Sequence, residues 1–151
     1  MAESKFVYVT YIRTTPAKLW KALRDPEFTR QYWMGTVQES DWKAGSDWNI
    51  RLADGRVADA GKVLEIKPYK RLVLKWRNEF IAALKKEGFT RMTYTLEKLG
   101  PQVKLTVVHE MPKAKSAFIG KVASGWPMIL ASLKSLLETG RALPDPRLAG
   151  R

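Results

Sequence analysis

Between Val37 and Glu110 the chain runs in short stretches of alternating apolar and polar residues, each closed by residues that turn a backbone. Trp48, Ile50 and Leu52 share one parity of Asp47–Leu52, and Leu72, Leu74 and Trp76 share one of the stretch after Arg71. Met92, Tyr94 and Leu96 do so in Phe89–Lys98, as do Val103, Leu105, Val107 and His109 in the next run. A period of two places one parity on each face of a sheet. Val37–Asp41 and Val57–Ile66 complete the strand set. Ala44-Gly45-Ser46, Ala53-Asp54-Gly55-Arg56, Pro68-Tyr69-Lys70-Arg71 and Leu99-Gly100-Pro101 separate the runs, and Asp54-Gly55 is a strong hairpin signal. Turns recur about every 10–12 residues, a spacing that suits an antiparallel meander rather than βαβ units. Glu79–Glu87 breaks the pattern and reads equally as a helical turn or a loop.

Helices flank this meander. Phe6–Ile12 is β-branched and aromatic, a first strand. Thr15 before Pro16 is an N-cap followed by a first-turn proline, and Leu19, Trp20 and Leu23 follow at helical spacing. Asp25-Pro26 ends that helix and starts a second, which carries Phe28, Tyr32 and Trp33. Near the other end, Phe118, Val122, Trp126, Ile129, Leu130, Leu133, Leu136 and Leu137 recur at three- and four-residue steps before Gly140. Pro127 marks a kink or the first turn of the main helix, and Ser124-Gly125 before it favours the first turn. The expected fold is α+β: a curved, six- to seven-stranded antiparallel sheet gripping a long C-terminal helix, with two short helices after the first strand. One domain is expected over residues 1–143 and a loose tail over residues 144–151, where Pro144-Asp145-Pro146 begins it.

Composition narrows the chemistry. A chain of 151 residues is normally one domain, and at this size folding buries roughly 68–70% of the unfolded surface. With no cysteine there are no disulfides, thiolate metal sites or thiol nucleophiles, and the composition fits a reducing cytoplasm. One histidine cannot build a histidine-rich metal site, so neither metal nor cofactor is expected. No run of about 18 apolar residues suggests a membrane span, and Met1–Thr10 lacks a signal-peptide core. The formal charge of +12 is spread along the chain, with 14 of the 27 basic residues in positions 1–75. A solvated basic surface accounts for it better than a nucleic-acid footprint, which clusters on one face.

A sheet that grips one helix leaves room for a ligand between them. The residues expected to face that space are Trp48, Ile50, Trp76, Met92, Tyr94, Val107 and His109 from strands, Trp33 from the second helix, and Trp126, Ile129, Leu130 and Leu133 from the last. Indole N–H groups, a tyrosine hydroxyl and one histidine would be its polar handles. Trp20 and Leu23 instead pack the first helix down, and Trp42 falls at a turn.

No catalytic set emerges. His109 points inward and could contact a ligand or act as acid–base, but ordinary core packing against a neighbouring hydroxyl or carbonyl explains it better. Glu110, next in sequence, faces the other way, and there is no Gly-x-Ser-x-Gly elbow. Glu39 and Asp41 share a solvent face; Asp47, Asp54 and Asp59 are read as lying at or near turns. Arg91, Asn49 and Arg51 alternate outward.

The run Tyr11-Ile12-Arg13-Thr14-Thr15-Pro16-Ala17-Lys18-Leu19-Trp20, continuing to Asp25-Pro26, resembles the opening of the START-like (SRPBCC) helix-grip superfamily. More narrowly it resembles the branch named after the activator of the ninety-kilodalton heat-shock protein ATPase. Gly61–Pro68 with Leu72 and Trp76, Leu105–Glu110, and Gly125-Trp126 with Leu130, Leu133, Lys134 and Leu137–Gly140 match in the same order. Gly45-Ser46 departs from the Gly-Gly many members carry there. The resemblance covers residues 5–143 and implies the helix-grip fold. It implies binding of a small apolar molecule (a lipid, a polyketide-like or an aromatic metabolite) between sheet and helix. The alternatives are a co-chaperone-like protein-interaction module, with a chaperone partner by analogy only, and a cyclase or hydrolase using His109.

Overall fold

Seven strands form because each alternating run buries one parity, and the turns between them are chemically specified. A computed structural model describes residues 3–144. The elements are β1 (Ser4–Ile12), α1 (Pro16–Arg24), α2 (Pro26–Tyr32), β2 (Val37–Ser40), β3 (Asp47–Arg51), β4 (Val57–Lys67), β5 (Arg71–Asn78), α3 (Ala82–Glu87), β6 (Thr90–Leu99), β7 (Gln102–Met111) and α4 (Ala117–Thr139). Every strand pairing is antiparallel, in the order β1-β7-β6-β5-β4-β3-β2. The α+β helix-grip architecture expected from the sequence is therefore the one observed. β4 carries an extra residue in each of its pairings, Ala58 against Ile50/Arg51 and Leu64 between Val63 and Glu65, and such bulges bend the strand that holds them. Of the expected tail, residues from Asp145 onward lie outside the described residues.

The helix starts follow the capping signals. Thr15 Oγ1 accepts from the Lys18 amide at 3.2 Å, and Asp25 Oδ1 accepts from the Glu27 amide at 2.9 Å, so the two short helices share one junction. Gly140 closes α4 with φ 84°, a left-handed conformation that favours glycine. Glu79–Glu87 resolves into a turn and α3. Asn78 Oδ1 accepts the Phe80 and Ile81 amides at 3.0 and 2.8 Å, which folds the chain into the helix.

The expected start of the last helix is overturned. α4 begins at Ala117, capped by Ser116, whose Oγ accepts from the Ile119 amide at 3.1 Å. Ser124-Gly125 is not the helix start, and Pro127 sits well inside the helix. The sequence signal missed a partner from far away. Glu87, at the end of α3, accepts from Ser116 Oγ at 2.5 Å and from the amides of Ala117 at 2.9 Å and Phe118 at 3.4 Å. A carboxylate there satisfies free N–H groups and complements the helix dipole. The stripe Phe118, Trp126, Ile129, Leu130, Leu133 and Leu136 then buries against the sheet. Each such side chain contributes about 1.5–3 kcal/mol when fully buried. Among the described residues, no helix is long and apolar enough to cross a membrane.

Candidate functional site: an indole-walled pocket between sheet and helix

Four tryptophans from four separate parts of the chain meet inside the grip. Trp48 of β3 and Trp76 of β5 stand on either side of Gly61 in the strand register, and their ring centroids lie 4.6 Å apart. Trp126 of α4 comes down on Trp76 at 5.9 Å, and Trp33, which caps the end of α2, touches Trp76 at 6.1 Å and Trp126 at 5.4 Å. Tyr94, His109 and Phe118 extend the cluster. These rings occupy much of the space expected to form a chamber.

Each buried ring nitrogen in the cluster's centre has a partner. Trp48 Nε1 donates to Gln38 Oε1 at 2.8 Å, and Gln38 Nε2 donates to the Leu23 carbonyl at 3.0 Å, tying β3 through β2 to α1. Trp126 Nε1 donates to His109 Nδ1 at 3.1 Å. Thr90 Oγ1 donates to the Trp76 carbonyl at 2.9 Å, so it accepts from His109 Nε2–H at 2.8 Å. This assigns the neutral Nε2–H tautomer. Burial pushes the imidazole down to about 3. With both nitrogens engaged and no exposed surface, His109 has neither a free lone pair nor a free proton to offer a substrate.

Trp76 Nε1 donates to Asp59 Oδ1 at 3.0 Å, and Asn78 Nδ2 reaches the same oxygen at 3.4 Å. Asp59 is in mid-strand on β4, paired with Ile50 and Asn78, and not at a turn as its sequence neighbours suggested. Burial pushes its carboxyl up to about 6; the hydrogen bonds from Trp76 and Asn78 pull it down, and the charge of Glu79 adds to the rise. Parity with Gly61 and Val63 is the sequence signal that pointed inward.

Here the interior opens. A pocket of about 190 Å³ lies between β4, β5, α3 and α4, walled by Trp33, Trp76 and Trp126, with Ile129 and Phe118 beside them. Asp59 and Asn78 supply its polar side, and the exposed Lys121 stands at its rim. Of the twelve residues expected to face a cavity, Trp33, Trp76, Trp126 and Ile129 line this pocket. Trp48, Ile50, Met92, Tyr94, Val107, His109, Leu130 and Leu133 are buried and do not line it. Asp59, Asn78, Leu84, Phe118 and Lys121 also line it, although the sequence pattern marks none of them as a site residue. A larger apolar groove of about 360 Å³ runs between α2, α4 and Leu143-Pro144. Among the described residues, no three of His, Asp and Glu converge to hold a metal ion.

The fold recurs in solved structures. Protein MLL2253 from Mesorhizobium loti is 24% identical with a TM-score of 0.75, over 89% of this chain and 96% of that one. Aha1 from Colwellia psychrerythraea, described as a dimer in solution, is 19% identical with a TM-score of 0.72, over 92% and 99%. PFC0360w, an HSP90 activator from Plasmodium falciparum, is 18% identical with a TM-score of 0.71, over 88% and 95%. At these identities the likeness is one of fold. No curated protein matches the sequence. The model of the family described as "Activator of Hsp90 ATPase homolog 1-like protein" matches residues 13–138, from the turn after β1 to the last turn of α4, and the chain belongs to that family.

Proposed function

We propose that the chain binds a small, largely apolar molecule in the pocket between the sheet and α4. The observation that carries this reading is the pocket's wall. Three indoles from α2, β5 and α4 converge on one opening that also holds a carboxylate and an amide. Apolar walls with a few fixed polar groups are the usual build of a ligand site. An apolar cavity of about 150 Å³ accepts benzene, so about 190 Å³ suits a monocyclic ligand. Within the classes expected from the sequence, that size favours a small aromatic metabolite over a lipid or a polyketide-like chain. Trp33, Trp76, Trp126 and Ile129 make contact in this reading; the other eight expected residues support the wall. No bond-breaking step is assigned, because His109 is spent on structure. Indole N–H resonances in a titration with phenol test the reading. Shifts at Trp33, Trp76 and Trp126 with Trp20 and Trp42 unmoved support it; shifts confined to Trp20 and Trp42, or none at millimolar ligand, defeat it.

A second reading is a protein-interaction module acting on a chaperone of the Hsp90 class, as PFC0360w is described to do. What favours it here is the outer row of the edge strand β1, where Val7, Val9 and Tyr11 are 51%, 42% and 46% exposed. Exposed apolar residues on an unpaired edge are unusual unless something covers them. If this row serves a chaperone, the chain stimulates ATP hydrolysis by an Hsp90-type protein and Val7→Lys with Val9→Lys abolishes the stimulation; no stimulation at saturating chain removes the reading.

A further inference from the structure

We propose that the pocket selects a small organic cation, a protonated amine or quaternary ammonium on an apolar body, with Asp59 as its counter-ion. The proposal rests on the pocket being a ligand site and adds the charge of the ligand to it.

The argument begins with where this basic chain puts its carboxylates. Glu27, Glu39, Asp47, Asp54, Glu65, Glu79, Glu87, Glu97, Glu110 and Glu138 each lie within ion-pair distance of a lysine or arginine. Four described carboxylates have no such partner. Asp25 caps α2, and Glu3 and Asp41 stand in solvent. Asp59 is the fourth, and it is set among indoles at the pocket. A partly buried carboxylate without a cation is costly, and it is retained at functional sites more readily than elsewhere.

The hydrogen bonds leave that carboxylate half free. Trp76 and Asn78 both donate to Oδ1, while Oδ2 accepts from no group among the described residues. The bond from Trp76 fixes the carboxylate beside the ring that walls the pocket. Near neutral pH it is charged, since its titration lies at about 6. Trp33, Trp76 and Trp126 add electron-rich surfaces, which attract cations most strongly where water is excluded. A cation would thus meet a charge-assisted acceptor at Oδ2 and indoles along its apolar body.

Two other charges act at this point. Glu79 adds negative potential to Asp59 and is paired with Arg77 and Lys85. Lys121, from α4, lines the same pocket, but its side chain is exposed at the rim and forms no ion pair with Asp59. It opposes a bound cation and can swing into water when one arrives. Ile50 and Leu84, which also approach Asp59 or the pocket, carry no charge.

Benzylamine and benzyl alcohol separate ligand charge from ligand shape, and isothermal titration with both at pH 7.5 is the test. Benzylamine is expected to bind about tenfold more tightly. Asp59→Asn is expected to weaken benzylamine about tenfold and so erase that preference, and Lys121→Gln to tighten benzylamine alone. On the wild-type chain, which needs no variant to fold, benzylamine affinity is expected to fall as pH drops below about 6 with benzyl alcohol unaffected. Equal binding of the two ligands, or a preference that survives Asp59→Asn, overturns the cation proposal and leaves the pocket reading standing. Binding of neither overturns both.

Discussion

The Trp126 indole N–H donates to His109 Nδ1 across the sheet–helix interface, 3.1 Å apart, and this bond fixes the protonation of the molecule's one imidazole. It also fastens α4 to β7 at the centre of the aromatic cluster. His109→Phe preserves a ring of similar size but leaves Trp126 Nε1 buried without an acceptor. The expected loss is about 1–3 kcal/mol of unfolding free energy, read from urea denaturation. A double-mutant cycle with Trp126→Phe should return a coupling above about 0.5 kcal/mol; zero coupling would mean the bond does nothing for stability.

His109 and Asp59 oppose each other in acid. The imidazole falls from 6.5 to about 3 on folding, so its contribution is complete above 6.5 and is lost as pH drops toward 3. The Asp59 carboxyl rises from 3.8 to about 6, so its contribution is present below 3.8 and lost as pH climbs through 6. Each slope is at most about 1.4 kcal/mol per pH unit, and the signs are opposite between pH 4 and 6. Above about pH 5, where Glu65, Glu79, Glu87 and Glu138, all held below their ordinary value of 4.5, are largely charged folded or unfolded, the wild-type profile is therefore expected to be shallow. Asp59→Asn should make acid more destabilising there, and His109→Phe should reverse the sign, so that stability rises on acidification. Thermal melts at half-unit pH intervals decide it; parallel profiles for the three chains would refute the assignment of both shifts.

Gln38 is a buried amide, 4% exposed, between the Trp48 indole and the Leu23 carbonyl. Gln38→Leu keeps the volume and orphans both partners. A loss of about 2–4 kcal/mol is expected from two unsatisfied buried groups, against less than about 0.5 kcal/mol for Glu39→Gln on the exposed face of the same strand. Urea midpoints for the two variants check it, and equal effects would contradict the inward placement of Gln38.

The sequence carried the fold because parity, caps and turns agreed. Asp54-Gly55, Thr15-Pro16 and Asp25-Pro26 state local geometry outright, and the parity of Val103, Leu105, Val107 and His109 appears in the burial of β7. What it concealed was non-local. Ser124-Gly125-Pro127 looks like a helix start, but the true start depends on Glu87, brought in by α3 from about thirty residues away. Asp59 reads with the turn acids by proximity, although the strand that holds it runs through Lys67. Alternation places Trp76 inward, and helical spacing Trp33 and Trp126, without saying how much space their rings leave. That depends on how four indoles interlock, which no single strand pattern encodes.

Glu87 should behave as a cap supplied in trans along the chain. Its side chain is 9% exposed. Burial pushes the carboxyl up, but the hydrogen bonds from Ser116, Ala117 and Phe118, with the Lys113 charge, outweigh it and hold the group below its usual range. Its contribution is therefore present above the unfolded value and lost as pH falls through the depressed one. Glu87→Ala is expected to cost about 1–2 kcal/mol at pH 7, Glu87→Gln less, and the two should converge with wild type in strong acid. Amide exchange measured over 116–119 should rise in Glu87→Ala before global unfolding; unchanged exchange there would show that Ser116 caps α4 alone.

Two glycines should respond to the same substitution with opposite signs. A Cβ on Gly61 would lie 1.7 Å from the Lys75 carbonyl oxygen and 2.6 Å from its carbonyl carbon. Both are backbone atoms of β5, so relief requires β4 and β5 to separate where Trp48 and Trp76 meet across Gly61. Gly61→Ala should therefore cost at least the upper end of the usual overpacking range of about 1–3 kcal/mol. It should also disturb the pocket, because Trp76 is in its wall and holds Asp59. Gly120 is exposed on α4, and an added Cβ meets nothing within 4 Å. Gly120→Ala removes a helix-interior glycine and should stabilise by about 0.5–1 kcal/mol. Urea midpoints at unchanged m-value are the measurement. A neutral Gly61→Ala would mean that β4 and β5 pass farther apart than this geometry requires, and with it would go the reason the two indoles can close to 4.6 Å.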